Sequence, residues 1–482
     1  MKGLRARVST LIVALCIVFC ATCSSESRTL RVTGDVEREQ VLQDYQGWLV
    51  DRIHYDDQVQ EAIPLRAILN EVGITGNDVT IFFSSSDGAV ARVPLDQILD
   101  DGWLRLSSEY GWQFISEKHP RQAKIKFMDY LVVAASEPKS KAPCVRIIDE
   151  NNEITLTYGD LFMADGISRL VLEGEAKKGS YNTTAYSRRT LIPIANYLQD
   201  RQSGELRVAL AYYADGSQGV ISLNGFLEWR GNSADYLGPD GRSRKKNIIG
   251  IWVNPPELCI TQMVPEALVA LEHGSVLIIL LDGLSYYDLK ALAPPFLSAQ
   301  SVKQARTVMP SITPVALGSI LTGMLPKENG ITNRGMRDLK VDDVFAHATK
   351  MGKSSVMVEG STKVINTSVP QLLNPDLDSD GTTDEEVFAT AQKQLATGVD
   401  LLFVHFHGYD DIAHSHGPLS PEASAKLMEL DGYVESLCVG FSGTVLVIAD
   451  HGQHATSEDK LGDHGEFRAL DMTVPWIRWE QP

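Results

Sequence analysis

The chain is short of cysteine, of aromatic residues and of positive charge. Six cysteines stand in 482 residues, and only Cys144, Cys259 and Cys438 lie beyond residue 23. Three scattered thiols build no disulfide framework, and none has the close spacing of a structural metal site. Lys and Arg total 44 against 62 acids, a formal charge of −18. That deficit excludes the basic footprint of a nucleic-acid binder, so no nucleic-acid partner is expected. Long apolar runs are scarce too. One stands near the start, where Leu11 to Phe19 follows Lys2, Arg5 and Arg7. It has the form of a secretory signal and is too short to span a bilayer unaided. Residues 1–23 are therefore set aside from the fold, and the remainder is expected outside the cytoplasm, in the cell envelope or secreted.

Cys23 precedes the polar stretch Ser24-Ser25-Glu26-Ser27. This resembles the lipidated cysteine and tether of bacterial lipoproteins, although Thr22 is larger than the small residue usual at that place. The resemblance implies membrane association through a lipid on Cys23. Free secretion and an uncleaved anchor are the alternatives, and one acyl chain holds only weakly.

The length suggests two to four domains. Residues 29–142 mix strand and helix patterns, and residues 144–258 read as a second copy of the same β-rich α+β module. Pro64 and Asp87 are 23 residues apart and Pro193 and Asp215 are 22 apart, while Gly88–Leu95 and Gly216–Leu223 both span 7. Each copy carries an Asp-Gly turn between strand-like runs. Pro-Leu, a strand and Ser86-Asp87-Gly88 faintly resemble sulfite-oxidase-type molybdopterin domains. The metal-binding cysteine has no counterpart, since residues 29–143 contain none. The resemblance therefore implies a fold without a redox cofactor, used for binding or spacing.

Prolines 255, 256 and 265 mark a linker, and the last domain is expected over residues 268–482. There, apolar strand-like runs alternate with helical segments. Val276–Leu281, Leu401–Val404 and Val445–Ala449 read as buried strands, Ser354–Val358 as another, and Asp384–Leu395 and Pro421–Leu437 as helices. The alternation predicts an α/β fold with a doubly wound, mainly parallel sheet. Ligands in such a sheet bind beyond the carboxyl ends of the strands. Asp282 ends the first run, Asp450-His451-Gly452 the last, and Asp410-Asp411-Ile412-Ala413-His414 follows the middle one. His464 lies downstream in Gly462-Asp463-His464-Gly465-Glu466. Asp410 and His414 are four apart and share a helix face. Thr313 before Pro314 reads as a helix N-cap, with the helix running from Val315 to Leu321 and stopping at Thr322-Gly323.

Strand-Asp, Thr at a helix start, Asp-x-x-x-His, strand-Asp-His-Gly and His-Gly, in this order, resemble the alkaline phosphatase superfamily. The segment Thr322-Gly323-Met324-Leu325-Pro326-Lys327-Glu328-Asn329-Gly330-Ile331 is similar to its nucleotide pyrophosphatase/phosphodiesterase branch. The resemblance covers about residues 276–478. It implies that Asp282, Thr313, Asp450 and His451 hold one divalent metal ion and that Asp410, His414 and His464 hold the other, with Asp411 the alternative to Asp410. Imidazole with carboxylate suits Zn, and Mn second. It implies that Thr313 is the nucleophile of a two-metal displacement, with the ions ~4 Å apart and a phospho-threonine intermediate. The substrate class is a small-molecule or head-group phosphate ester. The branch has an asparagine twenty-one residues after the nucleophile. Here that position is Arg334, with Asn333 beside it, and either is a candidate phosphate ligand. His405, His407, His416 and His454 have no place in the pattern.

Asp376, Asp378, Asp380 and Asp384 match the opening of a Ca²⁺ loop, but Val387 replaces the closing glutamate. The alternative is an acidic loop in which Thr383 caps the next helix with Glu386 as its capping-box partner. Three other functions stay open on the same sequence: a phosphomonoesterase, a phosphotransferase, and an envelope binding protein with a relic metal domain. A sulfatase fits less well, because Ser311-Ile312-Thr313-Pro314 lacks the Cys/Ser-x-Pro-x-Arg setting.

Overall fold

The computed structural model describes residues 29–481 apart from 56, 140, 151, 179, 200–206, 380, 458 and 459. The leader and Cys23 lie outside the described residues. Among these residues, no helix is long and apolar enough to cross a membrane.

The C-terminal part is built on one eight-stranded sheet. Its strands, in chain order, are β1 (Leu258–Cys259), β2 (Ser275–Leu281), β3 (Val302–Arg306), β4 (Ser355–Glu359), β5 (Gln371–Leu373), β6 (Leu401–Phe406), β7 (Gly443–Ile448) and β8 (Thr473–Gln481). They lie in the order β1-β3-β8-β7-β2-β6-β4-β5. All neighbouring pairs are parallel except those of β8, which runs antiparallel to β3 and β7. The reason for β2 at the centre is its composition. Val276 to Leu281 are all fully buried, as only a strand covered on both faces allows.

Four helices matter for the site: α1 (Thr313–Thr322), α2 (Asp384–Leu395), α3 (Gly408–His416) and α4 (Pro421–Cys438). Ser420 caps α4 by accepting from the Ala423 amide, with Pro421 at its first position. Gly323, at φ 70°, ends α1 in the left-handed conformation that glycine adopts without strain. Two expectations change here. α1 starts one residue earlier than a Thr313 cap requires, because extended Ile312 holds the cap position and Thr313 is already helical. Thr383 precedes α2 but its side chain makes no capping bond, and Glu386 instead accepts from the Leu377 amide at 2.7 Å.

The N-terminal region carries two five-stranded sheets with the same strand order. One runs Gln40–Leu42, Leu30–Gly34, Met128–Pro138, Gly76–Ser85, Val90–Pro94; the other runs Asn152–Thr157, Cys144–Asp149, Ile248–Val253, Ala209–Tyr213, Gln218–Ile221. In both, the first strand pairs in parallel with the last. Asp35 of the first sheet region accepts from Gly159 of the second at 2.9 Å. The second region packs onto the C-terminal sheet domain through Phe467, whose ring meets Tyr212 and Trp252. Arg146 pairs there with buried Glu466, and Lys141 lies 2.6 Å from Asp463.

Candidate metal centre

The sequence places each candidate ligand just past the end of a buried strand, and the sheet brings those ends together. Asp282 follows β2 and Asp450 and His451 follow β7. Asp410 and His414 stand one turn apart on α3, which follows β6. His464 comes from the loop beyond the short pairing of His454–Ala455 with Gly462–Asp463. Asp410, His414 and His464 gather their ligand atoms within 4.8 Å, and so do Asp282, Asp410 and His451. Thr313 Oγ1 lies 3.2 Å from His451 Nε2 and 3.5 Å from Asp282 Oδ1. Asp411 is exposed and Asp410 is the buried one, so it is Asp410 that joins His414 and His464.

The donor set tests whether metal ions fit. Three of the histidines turn Nδ1 toward a backbone carbonyl: His414 to Gly462 at 2.7 Å, His464 to Ser311 at 3.1 Å and His451 to Gly452 at 3.2 Å. A proton held on Nδ1 in this way leaves a lone pair on Nε2. Each Nε2 then faces carboxylate oxygens: His414 is 3.3 Å and His464 3.8 Å from Asp410, and His451 is 3.3 Å from Asp450. Lone pair against anion is repulsive, and a cation between them removes the conflict. Asp450 Oδ2 is buried without a hydrogen-bond partner. Among the described residues no Lys or Arg pairs with Asp282, Asp410 or Asp450. The residues fit divalent ions on each count.

Electrostatics agree. Burial, with the charge of Asp282 next, pushes the Asp450 carboxyl up. Burial and the stacked His451 ring 3.9 Å away push His464 far down, so it stays neutral. Both are responses to charge crowded without counter-ions, which a bound metal would supply.

Other residues in the centre are ones the motif pattern did not assign. Asp282 Oδ2 accepts from His405 Nε2 at 3.2 Å and from His407 Nδ1 at 2.9 Å. The opposite nitrogens of both rings face Glu359, at the end of β4. Burial opposes charge on Asp282, yet these two histidines outweigh it and hold its carboxyl well below the usual range. Glu359 is held at about 2 by the same pair against its own burial. Gln453 Nε2 donates to Asp410 Oδ1 at 2.6 Å. The one sequence signal for this network was an unexplained His-x-His ending strand β6. His454 binds Asp471 Oδ1 at 2.7 Å, away from the ligand atoms, and His416 is exposed.

Of the two phosphate candidates, Asn333 spends its Oδ1 on the Gly335 amide at 2.9 Å, closing a turn. Arg334 lines a cavity shared with His464. At the N-terminus of α1, Pro314 has no N–H, and the amides of Val315 and Ala316 both bond to the Ile312 carbonyl. The Ca²⁺-loop set does not assemble. Asp384 turns inward and accepts from the His407 and Gly408 amides, Asp380 lies outside the described residues, and Glu386 is the acid grouped with Asp376 and Asp378.

An open, mainly parallel α/β sheet that carries Asp/His clusters and a threonine beyond its strand ends defines the class: a domain fit to hold metal ions beside a threonine hydroxyl. Residues 276–475 match the profile of the family described as type I phosphodiesterase / nucleotide pyrophosphatase. Among curated proteins it is similar to the catalytic subunit of human GPI ethanolamine phosphate transferase 3, 36% identical over 77 residues, covering 16% of this chain and 7% of that one. The human GPI ethanolamine phosphate transferase 2 catalytic subunit is 27% identical over 189 residues, covering 35% and 18%. The chain thus spans a small part of these relatives. Solved structures with likeness include phosphonoacetate hydrolase from Sinorhizobium meliloti (21% identity, TM-score 0.31, 37% of this chain and 56% of that). Murine ectonucleotide pyrophosphatase / phosphodiesterase 5 is another (19%, 0.32, 38% and 58%).

Proposed function

We propose that the chain is an extracytoplasmic phosphoric-ester hydrolase of the phosphodiesterase/nucleotide pyrophosphatase type, with Thr313 as nucleophile. The observation that carries the reading is the Nε2 atoms of His414, His451 and His464 turned onto Asp410 and Asp450, with the Thr313 hydroxyl 3.2 Å from one of them. Asp282, Thr313, Asp450 and His451 would hold one divalent ion, and Asp410, His414 and His464 the other, with Zn favoured by the mixed donors. Bound there, the ions lower the pKa of hydroxyl and water and offset charge on the phosphoryl oxygens. Thr313 Oγ1 gives up its proton to solvent and attacks phosphorus, the P–O bond to the alcohol breaks, and the alcohol leaves with a proton from solvent. Water then attacks the phospho-threonine, returns the Thr313 hydroxyl and releases the second product. α1 fixes Oγ1 in place because Val315 to Thr322 are buried along it. Arg334, which lines the same cavity as His464, would clamp a phosphoryl oxygen.

The extracytoplasmic part of the proposal is supported by the basic, apolar leader of residues 1–23, and attachment through Cys23 by the polar residues after it. A relic binding protein is disfavoured because every expected ligand position is filled. The test is release of p-nitrophenol from bis(p-nitrophenyl) phosphate and from p-nitrophenyl phosphate, with Zn²⁺ or Mn²⁺ added back. Thr313→Ala should lower diester turnover at least about 10³-fold, as loss of a nucleophile does. Equal rates for both proteins would contradict the assignment. A second reading, transfer of the phosphoryl group to an alcohol, is supported by the likeness to ethanolamine phosphate transferases. Adding ethanolamine or glycerol to the same assay separates the two: hydrolysis leaves the product pattern unchanged, and transfer yields a new phosphate ester.

A further inference from the structure

Where the second N-terminal sheet region meets the catalytic domain, the structure forms a cavity of about 340 Å³. His464 is part of its wall, so the cavity adjoins the Asp/His centre. The family match does not reach residues 141–249, which supply one side of it. From the N-terminal region Ala142, Tyr158 and Ile249 line it, and from the C-terminal domain Met309, Ile312 and Phe467. Ile312 precedes Thr313 directly, and Phe467 is fixed by the Tyr212 and Trp252 rings. Apolar side chains make up most of the walls. Of the charged groups besides Arg334, Lys141 pairs with Asp463 and Arg146 with Glu466. Arg334 also lines the cavity and forms no ion pair among the described residues.

An apolar recess beside a phosphoryl site, with a free cation among its lining residues, suits a molecule that is anionic at one end and apolar at the other. Its volume lies at the lower end of small-ligand pockets, enough for one ring system. We propose that this cavity holds the organic arm of the phosphate ester, an apolar group of ring size, and that the second N-terminal region thereby selects the substrate. The proposal rests on the phosphate-ester reading above. It gives the N-terminal region a part in recognition, because Ala142, Tyr158 and Ile249 of that region line the recess.

The test is isothermal titration of the full chain, supplied with Zn²⁺, with phenyl phosphate and with methyl phosphate. Burying one ring should make phenyl phosphate bind at least about tenfold tighter. Ala142→Trp, at a half-buried wall position, should bring that ratio to about one and leave methyl phosphate within about twofold. Ile249→Ala, which removes wall contact without adding bulk, should lower the ratio about threefold and serves if the tryptophan variant misfolds. A ratio near one in the wild type, or an unchanged ratio in the folded variants, would overturn the proposal. Turnover of bis(p-nitrophenyl) phosphate by the same preparation reads the hydrolase assignment separately. A protein that binds phenyl phosphate selectively and cleaves nothing keeps the cavity and loses the hydrolase.

Discussion

Asp282 shows how much a single ligand position depends on neighbours that no motif names. Its Oδ1 faces Thr313 and its Oδ2 is held by His405 and His407, both backed by Glu359. Such outer hydrogen bonds orient a ligand and tune its affinity. His407→Ala should therefore weaken retention of the ion at Asp282 by about 10–100-fold. Competition with a chromophoric chelator measures this, and an unchanged affinity would show the network to be structural only. The gathering of these side chains was legible, because Asp410 and His414 announce themselves by helical spacing and Asp282 and Asp450 by the apolar runs before them. Glu359 was not. It ends an ordinary strand, and its partners are 46 and 48 residues away in sequence. The choice between Asn333 and Arg334 was equally hidden, since it depends on which way one turn closes.

At the level of the element, sequence patterning worked where burial is two-sided. β2, β6 and β7 are continuous apolar runs, and α2 spans Asp384–Leu395 as its pattern predicts. It failed at ends, where one hydrogen bond decides: Ile312 rather than Thr313 caps α1, and Glu386 bonds Leu377 rather than the start of α2. The helix Tyr286–Leu292 carries a further test. Burial, with the charge of Asp471 adding to it, pushes the Asp288 carboxyl from 3.8 up to about 7. Its folded pKa is raised, so between about pH 4 and pH 7 the folded chain binds more protons than the unfolded one. Stability from this group therefore falls as pH rises through that window. Asp288→Asn should stabilise the protein at pH 8, by on the order of 1–3 kcal/mol, and give no gain below pH 4. Thermal melts of both proteins across pH 4–8 check it; a pH-independent difference would refute the cause given.

For the whole molecule, the packing of N-terminal sheets onto the catalytic sheet was the least legible feature. Its contacts, Arg146 with Glu466, Lys327 with Asp215 and Phe467 with Trp252, join residues 100 or more apart that form no pattern with each other. The central claim is likewise a property of the folded whole: seven side chains from five separate segments would make two ion sites, with the Thr313 hydroxyl at one of them. Metal content per chain, measured by plasma mass spectrometry after Zn²⁺ loading and gel filtration, tests it most directly. The account predicts two ions in the wild type and one in each of Asp410→Asn and Asp450→Asn. A wild type that retains none, or variants that both retain two, would contradict it.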